Sequence, residues 1–466
     1  MLNGNVDVIV IGGGISGLAA AWALQRRGVS VMLLEVAARA GGTIGSAREQ
    51  GCLFEAGPNS TLETTPLIGS LLDELGIIDE RIYANPAARN RYILRNGRLI
   101  ALPLSPFAFF STPLFSAGAK LRLLREPFVS RGAPSAEESV AAFVRRRLGG
   151  ELLDYAINPF VAGVYAGDPE KLSVRAAFPR LHELEQDYGS LIRGQLLGAR
   201  ERARKSERSK QAAAMLSFKR GMQTLPDAIA SRLARVEFNA EAVAVTPDNG
   251  GFTVSASGAN GPHDLHAHAV LLATPAAAAA KLVAPFAPQA AGALAAIPYP
   301  PVAVAISGYR RSAIAHALDG FGFLVPQRER RQILGTIFSS TLFDQRAPPE
   351  VALLTTFIGG MRQPDLAQLE PDEIADIAQA ELAALLGAPA RAEFVRVTRW
   401  PRAIPQYTLG HLDRIAQIER AERDIPGLFF CANYRGGIAL GDCIKSAHRV
   451  AHAAAALLGG GDSEST

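Results

Sequence analysis

Apolar positions along this chain fall into two rhythms, and the places where one gives way to the other mark its elements. Residues 6–11 (VDVIVI) are apolar at every position but one, the pattern of a strand covered on both faces of a parallel sheet. A helical spacing follows over 16–27 and stops at Gly28; residues 29–34 then return to β-branched and apolar types and end on Glu35. Strand, helix, strand in that order predicts a parallel α/β unit. Further strands are expected at 43–47 and 51–54, a helix at 65–75, a hairpin over 88–102 turning at Asn96-Gly97, and a helix over 136–153. Strands return at 236–245, 252–254 and 270–273, as though the first unit resumed after an insertion. A strand-rich stretch follows (302–307, 322–325, 333–338, 352–358) with one helix at 371–386. The chain closes with a strand at 428–432, a glycine loop, and a helix at 442–458.

The turn after the first strand carries the first chemistry. Gly12, Gly13, Gly14, Ile15, Ser16 and Gly17 hold the spacing G-x-G-x-x-G. In a Rossmann-like unit the first glycine makes the tight turn, the second admits a pyrophosphate, and the third lets helix and sheet approach. The helix N-terminus offers N–H groups and partial positive charge to the phosphates. Glu35, eighteen residues past Gly17, suits a ribose hydroxyl pair. Arg39, Gly41 and Gly42 extend the motif as R-x-G-G, which favours FAD over a nicotinamide. The small residues of Glu55-Ala56-Gly57-Pro58-Asn59-Ser60 predict a loop against the flat flavin ring. The last helix, after the loop 433–437, directs its N-terminal dipole toward a reduced flavin.

Composition narrows the rest. A chain of 466 residues, 48% hydrophobic and 20% charged, exceeds one core and predicts two or three domains. The net charge of +4 is dispersed and not interleaved with aromatics, which excludes a nucleic-acid partner but suits an anionic substrate or membrane surface. Cys52, Cys431 and Cys443 lack the spacing of a disulfide frame or zinc site, and the expected setting is a reducing cytoplasm. His263, His266 and His268 read as a polar turn, so no metal is expected. The N-terminal run is too short for a signal peptide, and no apolar stretch reaches membrane-spanning length. The phenylalanine-rich stretch 102–129, with Lys120, Arg122 and Arg125, fits either a helical core segment or an interfacial patch on anionic lipid. Arg145, Arg146 and Arg147 near the end of the 136–153 helix, with Glu137 and Glu138 in its first turn, suit its dipole. The charged stretch 195–211 reads as a solvated helix or linker without assigned function.

The motifs GGGISGLAAA, EAGPNS, NRYILRNG, NPFVAGVYAGDPEKLS, SFKRGMQTLPDAI, GFGFLVP, LGTIFSS, TTFIGG, IPQYTLGH and GGIALGDCIKSA span the whole chain. Together they resemble the protoporphyrinogen oxidases, flavoenzymes late in haem biosynthesis; 158–173 and 405–411 are the most specific. The resemblance implies an α/β fold: a Rossmann-like FAD-binding domain of the amine-oxidase and glutathione-reductase type, an inserted α+β substrate domain, and an α-helical membrane-binding domain. The implied boundaries are 1–87, 219–296 and 424–466 for FAD, 88–101 and 297–423 for substrate, and 102–218 for the membrane. Implied cofactor contacts are Gly12 to Gly17, Glu35, Arg39, Gly42, Thr43, Gly57, Pro58, Asn59, Ser60, Val243, Trp400, Ile438, Ala439 and Leu440. Arg91 would hold a substrate propionate, which a guanidinium does in a two-pronged way. Leu324, Ile337 (leucine in many family members) and Phe357 would wall the macrocycle, with Asn59 and Gly163 at the reaction centre; no dedicated acid or base stands out.

The implied reaction removes six electrons from protoporphyrinogen IX in three cycles, each returned to O2 as peroxide. Implied surroundings are the inner face of a membrane, peripherally, a homodimer, and hand-over to ferrochelatase. The rivals are coproporphyrinogen III oxidation on the same fold, where Arg95, Arg98 and Arg175 are the candidate extra cations, another amine-oxidase-type flavoenzyme, and a flavin-free binding protein on this scaffold.

Overall fold

In the computed structural model, residues 5–133, 137–202, 213–248, 250–259 and 261–459 are described. Two seven-stranded sheets organise them. In the first, the strands run Val236–Phe238, Val31–Glu35, Asn5–Ile11, Gly261–Leu272, Gly251–Gly258 and Glu241–Asp248, with Leu428–Phe430 added beside Gly261–Leu272. Its centre is parallel and its far edge antiparallel. Side chains alternate across it: Val8 and Val10 enter a core shared with helices Ile15–Gln25 and Leu440–Leu457. Ile9 and Ile11 enter the core on the other side, with Ala276–Val283, Pro288–Ala295 and His411–Asp424. Two covered faces are why the first strand has almost no polar position.

The second sheet runs Phe394–Trp400, Val302–Arg310, Val351–Gly359, Gly335–Phe338, Gly320–Leu324, Asn90–Arg95 and Arg98–Ala101. All its pairs are antiparallel except Gly320–Leu324 with Asn90–Arg95. Helix Pro371–Leu386 covers one face, started by a capping box of Glu370 and Glu373 and stopped by Gly387 in the left-handed region. A small sheet joins Thr61–Leu62, Met215–Phe218 and Arg81–Tyr83, so the chain on both sides of the helical region 102–202 returns to one place.

Several sequence expectations are corrected. The expected strand at 43–47 begins only at Ser46, because Gly41 and Gly42 take positive φ and turn the chain first. The strand expected over 236–245 divides at Asn239, also at positive φ; its halves pair with different neighbours. His263, His266 and His268 lie within the strand Gly261–Leu272 rather than in a turn, facing Glu237, Thr253 and Asp7 respectively. The three cysteines are free and buried.

The helix expected over 136–153 spans only Val140–Arg147, capped by the Ser139 hydroxyl, so Glu137 and Glu138 precede it. Gly149 at φ 95° ends it, since this conformation favours glycine. Its arginines are explained by ion pairs more than by the dipole. Arg147, fully buried, donates to Glu126 at 2.9 Å and Glu185 at 2.7 Å, while Arg146 joins Glu138 and Glu185. Glu126 also accepts from the Leu191 and Ile192 N–H groups, tying the start of helix Leu191–Arg202 to the network. Of the charged stretch 195–211, helix continues to Arg202 and the remainder lies outside the described residues.

Within 102–129, Leu114 and Phe115 are buried and Phe109 packs against Phe115. Phe107 (85% exposed), Phe128 (82%), Phe110, Leu104, Leu121 and Leu124 face outward. Lys120 and Arg122 donate to backbone carbonyls beneath them. Among the described residues no helix is long and apolar enough to cross a membrane.

Candidate active site

The end of the first sheet is a cradle shaped by missing side chains. Gly12 has φ 110°, and a β-carbon on it would stand 2.9 Å from the Ala273 carbonyl oxygen; a β-carbon on Gly17 would overlap the Gly12 carbonyl oxygen. A β-carbon on Gly14 would meet nothing within 4 Å, so this one glycine opens onto free space. Gly14 also N-caps helix Ile15–Gln25, and no side chain caps that end. Ser16 hydrogen-bonds the Cys443 thiol, which sets the start of this helix beside the start of Leu440–Leu457. The second helix also lacks a side-chain cap at Ala439. Two uncapped N-termini around an open glycine fit the phosphates of a dinucleotide.

Glu35 is buried at the end of its strand and accepts from the Gly13 N–H at 2.6 Å and the Ala37 N–H at 2.8 Å. Each carboxylate oxygen keeps a further lone pair, enough for a ribose hydroxyl pair. Arg39 does not reach outward: its guanidinium donates to the Ala40, Ile44 and Gly42 carbonyls and to Gln223. It shapes the R-x-G-G turn, and Gln223 returns a bond to the Ala40 carbonyl at 2.9 Å. Val243 is 55% exposed, at a register shift in the strand Glu241–Asp248, which lies against Val31–Glu35.

The loop at 55–60 is anchored at three points. A β-carbon on Gly57 would overlap the Thr43 carbonyl, which fixes the loop on the R-x-G-G segment. Trp400, from the edge strand of the second sheet, donates to the Ala56 carbonyl at 2.7 Å, and Asn59 folds back onto the Gly57 carbonyl at 3.2 Å. Glu55 is buried against Arg346 at 2.9 Å and also accepts from Ser46 and the Met222 N–H. Burial raises the Glu55 pKa and lowers that of Arg346, in each case outweighing the partner's opposite pull. The pair ties the strand Cys52–Glu55 to the segment before Val351–Gly359, and a buried pair of this kind adds little net stability.

On the second sheet the register assembles a wall. Gly322 pairs with both Arg91 and Ile337; Leu324 pairs with Gly335, which pairs with Phe357. Strand side chains alternate, so Arg91, Leu324, Ile337 and Phe357 share the face opposite helix Pro371–Leu386, whose core takes Phe323, Phe338 and Ile358. Gly163, on helix Asn158–Tyr165, faces this wall: its β-carbon would stand 2.6 Å from Leu324 Cδ2. Asn59 and Ile337 line one cleft with Phe54 and Arg346, so the loop at 55–60 meets the wall. Arg91 is exposed, lies over the Phe321 ring at 5.7 Å, and has no carboxylate partner among the described residues. Arg95, one of the candidate extra cations, is engaged by Glu151 at 2.6 Å.

Tyr407 and His411 were not singled out from sequence. The Tyr407 hydroxyl donates to the Asn433 carbonyl at 2.7 Å and accepts from the Gly437 N–H at 3.0 Å. His411, stacked on Tyr407 at 4.2 Å, donates through Nε2 to the Tyr434 carbonyl at 3.0 Å, leaving buried Nδ1 without a partner. Burial pushes its pKa down to about 4, so the ring is neutral. Together they clamp the loop before helix Leu440–Leu457, which places Ile438, Ala439 and Leu440. Their sequence signal is that both lie in 405–411, one of the two most specific stretches of the resemblance, which gave neither residue a role of its own.

The family model for flavin-containing amine oxidoreductases matches residues 15–455. Protoporphyrinogen oxidase 2 of Arabidopsis thaliana is 34% identical to this chain over 471 residues, which span 95% of this chain and 92% of that protein. Coproporphyrinogen III oxidase of Bacillus subtilis is 27% identical over 459 residues, spanning 95% and 97% respectively. The crystal structure of a protein from Exiguobacterium sp. 255-15 superposes with a TM-score of 0.82 at 24% identity, covering 97% of this chain and 99% of that one.

Proposed function

This chain belongs to the flavin-containing amine oxidoreductases, and we propose that it oxidises protoporphyrinogen IX to protoporphyrin IX with FAD as cofactor and O2 as acceptor. The observation that carries the reading is the wall of Arg91, Leu324, Ile337 and Phe357, which meets the flavin-side loop at Asn59. When bound, FAD supplies the redox chemistry: six electrons and six hydrogens leave the porphyrinogen in three two-electron rounds, each ending as H2O2. The protein's part is binding and orientation. Arg91, exposed and without a carboxylate partner among the described residues, holds a propionate by charge-assisted hydrogen bonds. Leu324, Ile337 and Phe357 give the macrocycle an apolar bed, and Gly163 leaves it the room that a side chain would fill. Gly12 to Gly17 and Glu35 hold the dinucleotide, and helix Leu440–Leu457 turns its positive end toward the flavin.

The division of labour follows the two sheets. We assign 1–87, 219–296 and 424–466 to FAD binding, and 88–101 with 297–423 to substrate. Helix His411–Asp424 packs on the first sheet's core, which moves the last boundary toward residue 410. The region 102–218 supplies peripheral membrane contact through Phe107, Phe110 and Phe128, except that Met215–Phe218 joins the small sheet.

An aerobic assay of the purified protein tests the function. It compares porphyrin fluorescence from protoporphyrinogen IX and coproporphyrinogen III beside the visible absorption spectrum. The expected result is a yellow protein that prefers protoporphyrinogen. Preference for coproporphyrinogen, with four propionates instead of two, overturns the substrate assignment. A yellow protein inert toward both overturns the porphyrinogen reading altogether.

A further inference from the structure

Between the strands Gly320–Leu324 and Gly335–Phe338 the chain makes a ten-residue connection over 325–334. It is anchored on several sides: Asn158 Oδ1 accepts from the Gln327 N–H at 2.9 Å, Arg328 pairs with Asp154 at 2.9 Å, and Glu381 accepts from the Gln332 N–H at 3.1 Å. The anchored loop borders a cavity of about 400 Å³ lined by Val325, Pro326, Arg330, Arg331, Leu334 and Arg362 among others. That volume is within the range of small-molecule sites.

The charge in this cavity is unbalanced. Arg362 donates to the Val325 carbonyl at 2.8 Å and to the Asn158 carbonyl and Oδ1 at 2.6 Å each. Its Nε is buried and has no hydrogen-bond partner, and no carboxylate pairs with it among the described residues. A partly buried guanidinium with an unused N–H is favoured by a bound anion that accepts from it. Arg330, held at φ 53°, likewise pairs with no carboxylate among the described residues. Arg331 meets Glu381 at 3.4 Å, the one acidic side chain paired with this trio among the described residues. Burial also lowers the Arg362 pKa to about 10, outweighing the opposite pull of the Asp168 carboxylate, which acts from beyond ion-pair distance. The cavity adjoins the wall's end: Val325 and Leu334, which line it, directly follow Leu324 and precede Gly335 in the chain.

We propose that this cavity is a binding site, distinct from the porphyrinogen wall, for a small molecule carrying an oxyanion group, carboxylate or phosphate. Arg362 forms its fixed floor, and Arg330 and Arg331 are its movable arms. The arrangement suits two-pronged guanidinium recognition, which both anions satisfy.

The test is calorimetric titration of the FAD-loaded full chain with inorganic phosphate and, separately, succinate, at constant ionic strength. The expected result is saturable one-to-one binding of at least one anion, weakened at least about tenfold in Arg330→Gln/Arg331→Gln, with thermal unfolding of the variant recorded beside it. The favoured anion identifies the ligand's acidic group. Binding retained in Arg91→Ala separates the site from the wall, whatever the enzyme's substrate proves to be. Absence of saturable heat with both anions, binding unchanged in the double variant, or binding lost only in Arg91→Ala would each overturn the proposal.

Discussion

The two sheets have the same number of strands and use them in opposite ways. The parallel centre of the first is covered by helices on both faces and opens at its strand ends, where glycines and helix N-termini gather. The second is covered by helix Pro371–Leu386 on one face, and the other face itself becomes the wall. One site is made of backbone and tolerates almost no side chain; the other is made of side chains on a backbone that any apolar strand could form. Damage to the first should therefore appear as lost folding, and damage to the second as lost binding.

The sharpest test sets two glycines of the cradle against each other. Gly17→Ala forces a β-carbon into the Gly12 carbonyl and should cost about 4 kcal/mol or more, leaving little soluble protein. Gly14→Ala points into open space and should fold but bind FAD poorly. Soluble yield and flavin absorbance per protein read both. A Gly17→Ala variant with full flavin content would remove close packing as the reason for the motif.

The helical region extends the comparison, because a buried ion-pair network joins the apolar core that holds it. Arg147→Met should cost about 3–5 kcal/mol in chemical denaturation by leaving buried Glu126 without its cation and Glu185 with Arg146 alone. Arg145→Ala, which breaks an exposed pair with Glu170, should cost about 1 kcal/mol or less. Equal effects would show that the network is dispensable.

Acid should act first at the strand-end site. His411 titrates near 4 when folded, below its ordinary 6.5, so the unfolded chain takes up the proton first. Stability present above about pH 6.5 is lost as pH falls toward 4, by up to about 3 kcal/mol. Glu185 adds to this at lower pH: burial alone would raise its pKa, but hydrogen bonds from Arg146 and Arg147 outweigh burial and lower it. Thermal unfolding between about pH 7 and 5 should show the loss for the native chain and less of it for His411→Gln. A profile identical in the two proteins would exclude the imidazole as its source.

At the wall, Arg91→Ala should raise KM by about ten- to a hundredfold, roughly 1.5–3 kcal/mol, with unfolding unchanged because the side chain is exposed. Unaltered kinetics would take Arg91 out of the substrate site. The smallest effect on stability is expected for Phe107→Ser/Phe110→Ser, which should nonetheless lose sedimentation with anionic vesicles. Phe109, packed against Phe115, is the wrong position for that test. A native chain that never sediments with vesicles would refute the membrane reading.

By itself the sequence determined what is local. Gly12 to Gly17, Glu35, the Asn96-Gly97 hairpin and the helix at 371–386 each rest on signals within a few residues of themselves, so periodicity and spacing announce them. The same logic overreached at 136–153, where an unbroken helical pattern hid Gly149, and at 236–245, where apolar residues continued through a turn at Asn239. What only the tertiary structure decided lies between distant positions. Glu55 and Arg346 stand 291 residues apart, and Arg362 bonds Asn158 across 204. Tyr407 reaches a loop 26 residues away only because two elements pack side by side. No spacing rule links such residues, because burial and pairing are set by which faces the folded chain leaves open and which it closes.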